Sequence, residues 1–447
     1  MPNPPDPRGS APDTSRSDTS GSAGREAHCL RCVRCGAEYA LTELLFGCPV
    51  CASSVPANLE VVYADISTKG QTLQRLWEAR APGMWRYAEM LPVTREYDRS
   101  DRVTLGEGGT PLIACERLGA TVGLPRLAIK HESTNPTWSF KDRLASVAIS
   151  WAKASGAPGV AASSSGNAGA AVAAYAARAS MPCIIFTTRA FPGAMQRFMR
   201  SYGAMVVATP TGPDRWTLNR AVAREWGWLP ISNVTNPPVG SHPVGIEGYK
   251  TIAYEIAQER GWRAPDAIIV PVGYGDAMTG IWRGFQDLHA LGLINRLPRM
   301  IAAETFGSLQ RALAEEAPGP VATDGGSSAA FSVATPQGTF QALRALRASS
   351  GAAVTVSDAE AWQARQDLAH IEGVLVELSS ALPLAAARKL AASGDLRADD
   401  DVVLLVTSSG VKDLEISAAV ADDLPLVEPD LVMLRATLRE RFGYVAD

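Results

Sequence analysis

Lys141 stands inside the stretch NPTWSFKDR, residues 135–143. A lysine placed after a turn and before a helix beginning near Asp142 would be desolvated, with a helix N-terminus beside it. Both effects lower the pKa of an amine and let it attack a carbonyl near neutral pH. The spacing alone favours a plainer alternative, a surface lysine paired with Asp142 or Glu132. Three further turns follow candidate strands. SSSGNAG, residues 163–169, opens an Ala-rich helix whose backbone N–H groups and dipole hold a carboxylate or a phosphate equally well. An N-cap and a flexible turn explain the same residues. PVGYGDAMTG, residues 271–280, carries glycines that admit a phosphate to the backbone, although Asp276 would repel an anion unless its side chain points away. TSSG, residues 407–410, offers small hydroxyls to a ring nitrogen or caps a helix ahead of Lys412 and Asp413.

A second group of residues suggests a metal. Five of the seven cysteines, Cys29, Cys32, Cys35, Cys48 and Cys51, fall within 23 positions, and only Cys115 and Cys183 lie elsewhere. The knuckles CVRC and CPVC are twelve residues apart, a zinc-ribbon spacing with Cys32, Cys35, Cys48 and Cys51 as ligands. Cys29 is a spare that could replace Cys32 in register. Gly36 and Pro49 mark turns that bring backbone N–H groups to the sulfurs and support the metal. A degenerate ribbon that has lost its metal is the alternative.

These residues need a frame to hold them. From about Leu59 onward, short β-branched runs alternate with helical stretches, an α/β pattern. Candidate strands cover 127–132, 183–188, 204–209, 267–272 and 402–407, with helices at 169–179 and 247–260 between them. Their continuous apolar character predicts parallel-rich sheets covered on both faces, with ligands at the strand ends. A chain of 447 residues is long for one core, so the organisation expected is a disordered tail over 1–28, a zinc-ribbon-like segment over 29–55, and a two-lobed catalytic domain over 56–447. The smaller lobe, about 160–245, is inserted in it. Residues 315–338, rich in Pro, Gly and Ser, predict a mobile loop with no clear partner.

Composition excludes several functions. Lys and Arg number 42 against 46 Asp and Glu, a formal net charge of -4, and no basic run offers a footprint for nucleic acid. The first 28 residues lack the apolar stretch of a secretory signal, and no run of roughly 18 apolar residues crosses a membrane. A cytoplasmic enzyme with a small-molecule partner is the expectation.

Taken in order, the motifs resemble the threonine synthases among the fold type II pyridoxal-phosphate enzymes, the tryptophan synthase β-like fold. The resemblance runs from Cys32 onward through GMWRYAEMLP (83–92), LGEGGTPL (105–112), the stretches 135–143 and 163–169, IEGYK (246–250), 270–285 and 407–413. It implies that Lys141 forms the Schiff base with pyridoxal 5'-phosphate and shuttles protons, with Phe140 near the ring. It implies that Asn167 bonds the ring hydroxyl, that Ser164, Ser165, Gly166 and Ala168 grip the substrate carboxylate, and that Gly273, Tyr274, Gly275, Asp276 and Ala277 surround the phosphate. Thr407 would meet the pyridine nitrogen. The reaction implied converts O-phospho-L-homoserine and water to L-threonine and phosphate, in an enzyme that is often a homodimer.

The departures matter as well. The family usually has glycine where this chain has Trp138 and again Leu144, and an arginine where it has Gly245. Trp138 is therefore expected to reshape the substrate pocket, so that Trp138→Gly changes substrate preference. Arg143, Arg189, Arg197 and Lys250 remain as cations for a phosphorylated substrate. The departures keep two alternatives open: a β-replacement or elimination enzyme similar to cysteate synthase and acting on O-phosphoserine or another amino acid, and a non-catalytic metabolite-binding member.

Overall fold

The computed structural model describes residues 27–43, 46–64, 68–92, 102–189, 193–414 and 424–445. The tail expected over 1–28 lies outside them except for Ala27 and His28, which already belong to the first strand. β1 (Ala27–Cys32) pairs antiparallel with β2 (Glu38–Tyr39) and with β3 (Leu59–Tyr63), folding the cysteine-rich segment into a small sheet.

β4 (Leu112–Ala114) and β5 (Leu127–His131) begin a larger sheet. The chain then leaves it to build a separate parallel sheet from β6 (Val160–Ser163), β7 (Cys183–Thr188), β8 (Met205–Thr209) and β9 (Leu229–Pro230), in the order β8-β7-β6-β9. β10 (Ala267–Pro271), β11 (Arg299–Glu304), β12 (Ala352–Thr355) and β13 (Val402–Val406) complete the larger sheet, in the order β12-β11-β10-β13-β5-β4. All its pairings are parallel except the edge pair β4–β5.

The uninterrupted aliphatic runs dictate this burial. β10 and β13 are buried along their whole length, and Ile268, Ile269 and Val270 have no exposed surface. Each such side chain contributes roughly 1.5–3 kcal/mol by leaving water. Helices cover both faces, as parallel sheets require. Helix Lys141–Ala154 packs on the alanine-rich helix Asn167–Arg178.

Residues 315–338 differ from the sequence expectation of a loop with no partner. Thr323 N–H bonds the Pro336 carbonyl at 2.9 Å, while Ser328 Oγ and Ala329 N–H donate to Asp358 at 2.6 and 2.8 Å. Ser332 Oγ donates to Glu377. Carboxylates at the starts of two distant helices thus tie the segment to the body.

Candidate active site

All four chemistry-bearing turns leave the carboxyl ends of parallel strands: β5, β6, β10 and β13. Ligands in open α/β sheets collect at such ends. Here the turns converge on a cavity of about 620 Å³ whose wall includes Phe140 and Lys141, Ser164 to Ala168, Gly273 to Ala277, and Thr407. Trp138 is the exception among the sequence candidates. It is 46% exposed and stacks on Phe198, with ring centroids 5.4 Å apart, and it does not belong to the cavity wall. Its φ of +60° lies in the left-handed region.

Lys141 opens its helix and is partly open to the cavity. The dense surroundings of its amine pull the pKa below the ordinary lysine range, against the opposing charges of Asp276 and Glu377. The two carboxylates that would have made it an ordinary ion pair are spent elsewhere. Asp142 accepts from Thr137 N–H at 2.7 Å and Thr137 Oγ1 at 2.5 Å. Glu132 takes both Nε and Nη2 of Arg143, each at 2.7 Å. Phe140 stacks on Tyr249, and Lys141 Nζ lies 4.3 Å from the Phe140 ring centre.

The β10 turn leads into helix Asp276–Ala290 through Gly275, whose φ of +78° favours glycine and whose Cβ, if present, would lie 2.3 Å from Ala342. The repulsion anticipated at Asp276 is avoided, because its carboxylate turns to Ser241 and to Gln341 Nε2, the latter at 2.7 Å. The helix N-terminus keeps its anion-binding character.

At the opposite wall, Thr407 Oγ1 lies 2.7 Å from Ser380 Oγ, which also accepts from Ser408 N–H at 2.9 Å. Ser379 Oγ is buried on the cavity wall and has no hydrogen-bond partner among the described residues. Asn167 donates through Nδ2 to Glu377 Oε2 at 2.6 Å and accepts at Oδ1 from Lys412 Nζ at 2.7 Å.

Sequence reasoning missed the cation on the wall. Arg215, from helix Gly212–Trp226, reaches the cavity and donates to Ser165 Oγ at 3.2 Å. The capping box of Thr211 and Asp214 was the available signal for that helix start. The four cations proposed from sequence are not in the wall. Arg143 is buried between Glu132 and Glu255, and Lys250 between Glu247 and Asp287, while Arg189 and Arg197 are exposed. Ser232, Asn233 and part of 328–335 complete the wall.

The sulfurs of Cys32, Cys35, Cys48 and Cys51 lie within 4.8 Å of one another. Arg34 and Cys35 N–H groups approach Cys32 Sγ at 3.3 and 3.4 Å, and Tyr39 Oη lies 3.2 Å from Cys48 Sγ. Cys29 sits in β1, outside this group.

A family model described as pyridoxal-phosphate dependent enzyme matches residues 103–408. Over 423 residues the chain is 34% identical to a threonine synthase of Methanosarcina acetivorans, covering 92% of this chain and 98% of that protein. The chain belongs to the threonine-synthase branch of the pyridoxal-phosphate-dependent enzymes. A threonine synthase of Methanocaldococcus jannaschii is 32% identical over 92% of this chain and 99% of its own length. One from Mycobacterium tuberculosis is 35% identical over 77% of this chain and 91% of its own. Among solved structures, threonine deaminase isoform 2 from Solanum lycopersicum superimposes with a TM-score of 0.60 at 20% identity, over 76% of this chain and 94% of that one. Maize serine racemase gives 0.59 at 22%, over 70% and 91%. These two share the fold, the fold type II architecture. The protein is thus a pyridoxal-phosphate-dependent lyase of that fold, and among the described residues no helix is long and apolar enough to cross a membrane.

Proposed function

We propose that the cavity converts O-phospho-L-homoserine and water to L-threonine and phosphate, with Lys141 carrying pyridoxal phosphate. The observation that carries this reading is the convergence of the Lys141 amine, two helix N-termini and Arg215 on one cavity. The residues fit the cofactor. The glycine backbone of the β10 turn would hold the cofactor phosphate, and the Asn167 amide, the unpartnered Ser379 hydroxyl and Thr407, all on the cavity wall, would hold its ring. When bound, the cofactor supplies an electron sink for charge developing at the substrate's Cα and Cβ.

The chain's own residues do the rest. A lowered amine pKa leaves Lys141 able to take a proton from Cα and then Cβ, and to return protons, near neutral pH. Residues 164–168, at the N-terminus of helix Asn167–Arg178, hold the substrate carboxylate. Arg215 meets the substrate phosphate with a charge-assisted bond and orients it for departure. The wall from 328–335 shields the reacting atoms from bulk water.

The test is an absorption spectrum of the purified protein with pyridoxal phosphate, before and after O-phosphohomoserine, O-phosphoserine, homoserine, serine and threonine. A shift with O-phosphohomoserine, together with release of phosphate and threonine and loss of both in Lys141→Ala, is expected. A shift with O-phosphoserine alone would transfer the protein to β-replacement, and the absence of any cofactor band would overturn the reading.

We further propose that Cys32, Cys35, Cys48 and Cys51 bind one structural zinc ion, on the strength of four sulfurs gathered in one spot. Metal analysis of the purified protein should find about one zinc per chain. The zinc should be lost in Cys48→Ser and kept in Cys29→Ser; retention in Cys48→Ser would refute the assignment.

A further inference from the structure

Beside the cavity lies a buried lysine that the reaction above does not use. Lys412 follows β13 in the short helix Gly410–Lys412 and is 8% exposed. Its amine donates to Asn167 Oδ1 at 2.7 Å, and Ser408 Oγ lies 3.3 Å from the same oxygen and 3.2 Å from the Trp138 carbonyl. Asn167 Nδ2 donates to Glu377 Oε2 at 2.6 Å, and Glu377 is 2% exposed.

The chemistry of the partners fixes the amide. An ammonium group only donates and a carboxylate only accepts, so the Asn167 oxygen must face Lys412 and its nitrogen must face Glu377. The nitrogen then has one N–H left, and Asn167 lines the cavity. The charges facing Lys412 are those of Glu377 and Asp142, and the Phe198 ring lies 5.6 Å away. Glu377 uses its other oxygen on Ser332 in the cavity wall, so the same carboxylate steadies both the amide and the wall.

We propose that Lys412 is a positioning residue: its bond to Asn167 Oδ1 locks the amide with an N–H directed at the ring oxygen of bound pyridoxal phosphate and so holds that oxygen as an anion. This rests on the reading that the cofactor is carried by Lys141. Rotation of the amide would place its oxygen against the anionic ring oxygen, and Lys412 prevents it. Glu377 is the counter-charge that lets the ammonium remain buried.

The experiment titrates pyridoxal phosphate into the wild type, Lys412→Met, Lys412→Gln, Asn167→Ala and the double variant Asn167→Ala/Lys412→Met. It reads the ratio of the visible to the near-ultraviolet cofactor band, the pH at which that ratio changes, and the apparent affinity. Lys412→Met should shift the ratio toward the near-ultraviolet form and weaken binding about tenfold, the loss expected when a bond to a charged donor is removed. Lys412→Gln, which keeps a donor, should recover most of the ratio. In the Asn167→Ala background, Lys412→Met should add no more than about a twofold further change, because it acts through the amide already removed.

A Lys412→Met protein with the wild-type ratio and affinity overturns the proposal, as does a double variant in which the two changes are fully additive. If Lys412→Met does not fold, Lys412→Ala, alone and combined with Asn167→Ala, takes its place under the same criteria. A visible band that is missing from the wild type, or that persists in Lys141→Ala, would instead overturn the underlying reading of the cofactor site.

Discussion

Ser241 holds the Asp276 carboxylate by two bonds at once, its backbone N–H at 3.2 Å and its hydroxyl at 2.6 Å. A negative group in a loop shaped for phosphate is thereby engaged by donors of its own. Ser241→Ala removes the shorter bond and leaves only that backbone N–H and Gln341 Nε2, at 2.7 Å, to keep the carboxylate from the cavity. Cofactor affinity should fall about tenfold or more, on the scale of a bond to a charged group. Fluorescence titration with pyridoxal phosphate measures it, and adding Asp276→Asn to Ser241→Ala should restore most of the loss. An unchanged affinity in Ser241→Ala would show that the carboxylate stays put without the hydroxyl.

Arg215 is expected to serve substrate and not cofactor. Arg215→Leu should raise KM for O-phosphohomoserine by about tenfold to a hundredfold, since a charge-assisted bond is lost. Affinity for pyridoxal phosphate should remain near that of the wild type. Steady-state kinetics beside cofactor titration separates the two. A KM that does not move would remove Arg215 from the substrate site.

Trp138 now carries the opposite expectation to the one its sequence position suggests. Its indole stacks on Phe198 outside the cavity wall, so Trp138→Gly should leave the relative rates on different amino acids unchanged. Stability should change by only about 1 kcal/mol, because glycine relieves a left-handed φ while the aromatic stack is lost. A panel of substrates and thermal unfolding test both halves.

Asp142 gives a pH signature. Burial raises its pKa from 3.8 to about 7, against the bonds from Thr137 that lower it. Between those values the folded state binds more protons than the unfolded state, so this residue makes stability fall as pH rises through that window. The contribution is absent below the lower value and levels off above the upper one. Asp142→Asn should flatten that part of the profile of melting temperature against pH. A profile identical to that of the wild type would mean that the carboxyl titrates as an ordinary aspartate.

Much of this arrangement was legible before any coordinates, for reasons that differ by element. β10 and β13 announce themselves because AIIVP and VVLLV are unbroken aliphatic runs. β11 and β12 do not, because RMIAAE and AAVT fill buried sheet positions with alanine, which reads as readily as helix. The turns around Lys141, Asn167, Gly275 and Thr407 stood out because each follows a strand and ends in a helix or a cap. Arg215 did not, since its side chain meets Ser165 only once two segments fifty residues apart are folded together. The wall at 328–335 reads as a free loop because its anchors, Asp358 and Glu377, are remote in sequence. The contact of Trp138 with Phe198 was not legible either, because a position in a motif says nothing of the direction in which its side chain leaves the backbone.

The contact between residues 144 and 245 has a consequence for anyone redesigning this enzyme. A Cβ on Gly245 would lie 3.0 Å from Leu144 Cγ and 3.2 Å from the Ala148 methyl. The two unusual residues of the sequence are therefore halves of one steric bargain, a large side chain on one helix seated in the space left bare on the other. Grafting an arginine at 245 alone would drive a wedge between them. The graft and a trimmed residue at 144 have to be introduced together, so that single substitutions scanned one at a time would miss a pair that works.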